Sequence, residues 1–123
     1  TFNGPIYGKD KNSMLHDKDV FILTSRYEGF PMAILEALDA GLPCLVTRGV
    51  NMTSIIKKYQ IGWECETTAN DVAELILSVL NMDSSSIDNM TMRAREYIMK
   101  EHNWPSLVNY SESIYTEIYK RDM

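Results

Sequence analysis

The sequence predicts an α/β fold, a parallel sheet flanked by helices. Three observations carry this. Two short, nearly all-apolar runs, "DVFILTS" (19–25) and "LPCLVT" (42–47), have the composition of strands buried on both faces. Between them lies "MAILEALDAG" (32–41), a run of helix formers ended by Gly41. The alternation then continues at the same pitch, with "NMTSIIKKY" (51–59) as a short helix and "IGWECE" (61–66) as a short strand. Strand, helix, strand, helix, strand requires crossover connections, and these make strands parallel and right-handed in connection.

Each remaining element follows from its own pattern. Residues 1–3 read as a strand stub, and "GKDKNSMLHDK" (8–18) as a helix ahead of the first full strand. "TANDVAELILSVLNM" makes a helix capped by Thr68 or Asn70, with Val72, Leu75, Ile76, Val79 and Leu80 on one face. "DSSS" (83–86) breaks the chain and caps the next helix, whose apolar stripe is Ile87, Met90, Ala94, Tyr97 and Ile98. Pro105 suits the first turn of a last helix, with Leu107, Ser111, Ile114, Tyr115 and Ile118 on one face. That face packs either on this domain's own core or against something outside it. Three strands and a stub are few for a doubly wound, Rossmann-like sheet, so one or two βα units are expected upstream of residue 1.

Composition narrows the function. At 123 residues and 45% hydrophobic content, the chain can bury one compact core. The net charge is −5, and the basic residues stand singly or in pairs, so no stripe for nucleic acid exists. No apolar run reaches transmembrane length. Cys44 and Cys65 sit in strand-like runs, as buried free thiols or as a disulfide, and no metal-ligand spacing occurs. His16 and His102 each close a helix, where a cation complements the dipole, and a surface role is expected for both.

The stretch with chemistry in it is "SRYEGFPMAILEALDAGLP" (25–43). Pro31 fits the first helical position, and the N–H groups of Met32, Ala33 and Ile34 behind it have no intrahelical partner. With the helix dipole they form an anion site at the carboxyl end of a strand, where open α/β sheets bind ligands. Gly29 permits close approach of a ligand. Glu28 precedes the turn, and Glu36 lies on the helix away from the buried face of Ile34, Leu35, Ala37 and Leu38. Ionised carboxylates accept bidentate bonds from sugar hydroxyls. Glu28 could equally just complement the dipole, and Glu36 could be a solvated surface charge; spacing alone leaves both readings open. A glycosidase dyad is disfavoured, because the two carboxylates do not face each other across a few ångströms.

These residues resemble the nucleotide-binding C-terminal domain of the family 4 glycosyltransferases, which have the GT-B fold. The matching features are "DVFILTS", then "EGFP", "LEAL" and "GLPCLVT", with Glu28 and Glu36 as the family's E-x7-E pair. "FNGPIYGKDKNSMLH" is similar to the family's F-x-G turn and helix, "YQIGWECE" to its D-G-x-x-G-x-L segment, and "HNWPSLVNYSESIY" to its terminus, so the likeness runs over about residues 2 to 119. "TRGVNMTSII" departs from the usual D-x-G-G-x-x-E loop, and the resemblance implies phosphate or sugar contacts there for Thr47, Gly49 and Asn51.

The resemblance implies transfer of a sugar from a UDP- or GDP-sugar to a glycan or lipid-linked acceptor, with retention and without a metal or other cofactor. It implies that Glu28 contacts the donor sugar and places its anomeric carbon. Gly29 and Phe30 offer backbone groups to the sugar or phosphate, and Met32, Ala33 and Ile34 give N–H groups to the diphosphate. Glu36 binds the ribose, Ile6 contacts the base, and Lys11 reaches base or ribose. Arg26 sits at a variable position and carries no assignment. On this reading residues 1–123 are one donor-binding domain, and 104–121 is a helix that crosses to an N-terminal domain. The family's acceptor site, its reactive-face His and its basic Arg–Lys pair lie outside this sequence, so the chain alone is expected to be inactive. A cytoplasmic enzyme at the inner face of the membrane, peripherally associated, is the implied setting, with dimerisation through the last helix open. The alternatives are a nucleotide-sugar epimerase of the same fold and a non-catalytic nucleotide-binding or interaction domain.

Overall fold

The computed structural model describes residues 1–29, 31–102 and 104–121. Six helices and three strands follow in the order α1 (Gly8–His16), β1 (Phe21–Leu23), α2 (Met32–Asp39), β2 (Cys44–Thr47), α3 (Thr53–Tyr59), β3 (Gly62–Cys65), α4 (Ala69–Leu80), α5 (Ser84–Glu101) and α6 (Trp104–Arg121). A 3-10 turn, Arg48–Val50, joins β2 to α3.

The sheet is parallel, in the order β1-β2-β3. Phe21 pairs with Cys44, and Cys44 with Gly62. The central strand β2 is buried throughout, as its apolar and β-branched sequence favours. Gly62 is needed where it is: a Cβ there would come within 2.0 Å of the Cys44 carbonyl oxygen. The core runs from Ile34, Ala37 and Leu38 of α2, through Cys44 and Val46, to Ile56, Ile61, Ala94 and Tyr97. Helix α2 thus lies between the sheet and α5, and its site-bearing N-terminus is fixed by burial at 0% exposure of Ile34, Ala37 and Leu38. Gly41 stops α2 with a φ of +85°, which glycine adopts without steric cost. Thr68 caps α4 by accepting from the Asp71 N–H, and Asp83 caps α5 by accepting from the Ser86 N–H.

Several expectations are corrected. Residues 1–3 form no strand. The first strand spans three residues rather than seven, and it is not buried on both faces: Ile22 is 46% exposed. Among the described strands β1 lies at the sheet edge with a single neighbour, and the Ile22 side chain is left open to solvent. Leu80, the last residue of α4, is exposed rather than part of the buried face. Both thiols are free, with Cys44 buried and Cys65 half-buried. His102 is not a surface residue. It is half-buried, with Nε2 2.8 Å from the Tyr97 hydroxyl and its ring edge-on to that ring. His16 is exposed at the end of α1, as expected. On α6, Ile114, Tyr115 and Ile118 are exposed, while the side chains of Leu107 and Ser111 fall outside the description.

Candidate functional site

The site forms where α2 begins. Pro31 has φ −81° and ψ 78°, so it stands just before the helix rather than at its first position. The Ile34 N–H bonds the Pro31 carbonyl at 3.0 Å. Ile34 is also fully buried. Its N–H is therefore not free for a ligand, contrary to the expectation for Ile34. Met32 and Ala33 are exposed and supply the first-turn N–H groups that the helix itself does not use.

Beside this terminus a groove of about 600 Å³ opens between residues 1–6, α1 and α2. It brings together four of the predicted site residues: Ile6, Lys11, Ala33 and Glu36. Pro5, Met14 and Phe21 give it apolar walls. At its polar end the Lys11 ammonium donates to Glu36 Oε1 at 2.9 Å, with the two side chains 34% and 41% exposed. An ion pair this open to water contributes about 0–1 kcal/mol, so a ligand hydroxyl can replace or join it at small cost. Lys11 and Glu36 come from elements 25 residues apart, and α1 is what delivers the lysine. The groove thus offers flat apolar surface at one end, a carboxylate with a cation at the other, and helix N–H groups alongside.

Glu28 lies apart from that groove. Its carboxylate accepts from the Ser25 hydroxyl at 2.6 Å through Oε1, and it is half-buried. Its backbone N–H bonds the Gly49 carbonyl at 2.9 Å. Gly29 has open space where a side chain would stand, which leaves room for a ligand. Phe30 lies outside the described residues.

The loop after β2 plays a different part from the one expected. Thr47 is wholly buried, and its hydroxyl donates to the Ser25 carbonyl at 2.6 Å. Gly49 lies against the 25–26 backbone so closely that a Cβ would sit 2.2 Å from the Arg26 carbonyl oxygen. Thr47 and Gly49 hold the Glu28 loop. Asn51 is exposed in the left-handed region, φ 60°, where it ends the 3-10 turn. Sequence reasoning assigned no role to Ser25. Its signal was present: a hydroxyl three residues before a glutamate in a turn is within reach of that carboxylate.

No group of three or more His, Cys, Asp or Glu side chains able to hold a metal occurs among the described residues. No described helix is long and apolar enough to cross a membrane.

Comparison with known proteins bears on the family and the fold. The family described as glycosyl transferases group 1 matches residues 1–101. The N-acetyl-alpha-D-glucosaminyl L-malate synthase of Bacillus anthracis is 30% identical over 118 residues, 94% of this chain and 31% of its own. The UDP-Gal:alpha-D-GlcNAc-diphosphoundecaprenol alpha-1,3-galactosyltransferase of Escherichia coli is 30% identical over 110 residues, 89% of this chain and 28% of its own. Among solved structures, WaaG, a glycosyltransferase involved in lipopolysaccharide biosynthesis, superposes with a TM-score of 0.68 at 21% identity, over 77% of this chain and 26% of that one. At that identity the likeness is one of fold. The chain spans less than a third of the length of these relatives.

Proposed function

Because the chain belongs to the glycosyl transferases group 1 family, we propose that it is the donor-binding part of a glycosyltransferase. It holds a nucleotide-sugar while the sugar passes to a glycan or lipid-linked acceptor with retention of configuration. The observation that carries this reading is the groove that joins Ile6, Lys11, Ala33 and Glu36 beside the exposed start of α2.

In this reading the base lies on the apolar wall at Ile6. The ribose hydroxyls donate to Glu36, and Lys11 keeps that carboxylate oriented. The diphosphate meets the N–H groups of Met32 and Ala33. Transfer breaks the bond between the anomeric carbon and the diphosphate oxygen, and negative charge grows on the leaving group. Fixed N–H donors and a helix dipole stabilise that charge without reorganising. The reaction needs no metal on this account. Glu28 and the Gly29–Phe30 turn take the sugar and place its anomeric carbon, so positioning is their contribution.

The E. coli relative's name includes a UDP-sugar and a diphosphoundecaprenol acceptor. This supports a uridine donor and a lipid-linked acceptor, hence work at a membrane surface facing the cytoplasm. The rest of the active site, including the acceptor pocket, belongs to a second domain that α6 would reach. Thermal denaturation with UDP, UDP-sugars and GDP-sugars tests the reading. A ligand at a hundred times its Kd stabilises by about 2.7 kcal/mol. A rise in Tm with one nucleotide series is expected, and no rise with any of them would contradict it.

A further inference from the structure

We propose that Thr47 is a positioning residue for Glu28, acting through Ser25 and Gly49; this rests on the reading of Glu28 as the sugar contact. The contacts form a closed circuit. The Thr47 hydroxyl donates to the Ser25 carbonyl at 2.6 Å. The Ser25 hydroxyl donates to Glu28 Oε1 at 2.6 Å. The Glu28 N–H returns to the Gly49 carbonyl at 2.9 Å.

The circuit has a rigid end and a free end. Thr47 closes β2, the central strand, and is 0% exposed. The 25–29 loop has no regular structure and contains the exposed Arg26, Tyr27 and Gly29. A loop of that kind holds a carboxylate in one place only if something stiff holds the loop. Thr47 supplies the hydrogen bond. Gly49 supplies the fit, since any side chain there would strike the Arg26 backbone. Ser25 then engages Oε1 and restrains the rotation of the carboxylate. A threonine buried at the end of a strand would ordinarily be replaceable by valine of the same shape. Here that change leaves the Ser25 carbonyl without its donor and frees the loop.

Two measurements test this on Thr47→Val and Thr47→Ser. The first is amide hydrogen exchange of the chain without ligand. Thr47→Val is expected to speed exchange at Glu28 about tenfold beyond any change at Leu45 and Val46, and Thr47→Ser is expected to restore it. Exchange at Glu28 that follows Leu45 and Val46 in both variants overturns the proposal. The second compares Kd for UDP with Kd for UDP-glucose, UDP-galactose and UDP-N-acetylglucosamine. Thr47→Val should erode the added affinity due to the sugar about tenfold while leaving UDP binding unchanged. Glu28→Gln should erode the same sugar increment. If Glu28→Gln has no effect while the exchange result holds, the sugar role of Glu28 fails and the clamp stands. If Glu28→Gln erodes the sugar increment and Thr47→Val does not, the clamp as a positioning device fails.

Discussion

Lys11 and Glu36 meet at 2.9 Å in the groove, yet in the sequence they are separate polar residues on separate helices. Helical phase placed Glu36 off the core, and only the resemblance linked it to Lys11 through a shared ligand. Their contact depends on where the fold places α1 relative to α2, which no local pattern encodes. Lys11→Ala should weaken nucleoside diphosphate binding by about three- to tenfold and barely change stability, because the pair is half open to water. Titration calorimetry paired with urea denaturation separates the two effects. The thiols form a second residue-scale contrast. Burial pushes the Cys44 thiol up to about 12, and burial followed by Asp71, Glu66 and Glu64 raises that of Cys65. At pH 8 a thiol reagent should label Cys65 first and reach Cys44 only on unfolding. Because the folded state of Cys44 holds its proton more tightly than the unfolded state, its stabilising contribution is complete below about pH 9. It is lost between about pH 9 and 12. The free energy of unfolding should therefore fall through that window by up to about 1.4 kcal/mol per pH unit from this group. A Cys44→Ala variant should show a shallower fall.

At the level of elements, burial made some segments legible and hid others. Strand β2 was plain because every residue of it is apolar or β-branched and every residue is buried. Helices α4 and α5 were plain because Thr68 and Asp83 mark their starts with side-chain caps. Strand β1 was over-extended, since "DVFILTS" has a buried strand's composition but lies at a sheet edge. The start of α2 was misplaced by one residue. Composition shows that proline tolerates the first turn, but only ψ at Pro31 decides whether the helix includes it. Ile34 was legible as a core residue from helical phase, but the bond from its N–H to the Pro31 carbonyl was not. Two variants test the packing logic. Ile34→Ala should cost about 2–5 kcal/mol, as a cavity beneath the site. Thr68→Ala should cost about 1 kcal/mol through loss of the α4 cap, with nucleotide binding intact. Chemical denaturation measures both.

For the molecule as a whole, the parallel sheet, the family match and the fold likeness to WaaG agree with the alternation visible in the sequence. What could not be seen along the chain was which contacts hold each part of the predicted site. Ile6, Lys11, Ala33 and Glu36 share one groove, while Glu28 belongs to a separate loop held by β2. That division fits a nucleotide-sugar lying across the start of α2, nucleotide on one side and sugar on the other. The central claim is that the groove holds the nucleotide, and it is tested most directly by calorimetric titration of UDP and GDP into the wild-type chain and Glu36→Ala. The account predicts binding of one nucleotide, weakened about ten- to a hundredfold by Glu36→Ala, the worth of charge-assisted bonds to a ribose. Equal affinity in both proteins, or no binding of either nucleotide by the wild type, would contradict it.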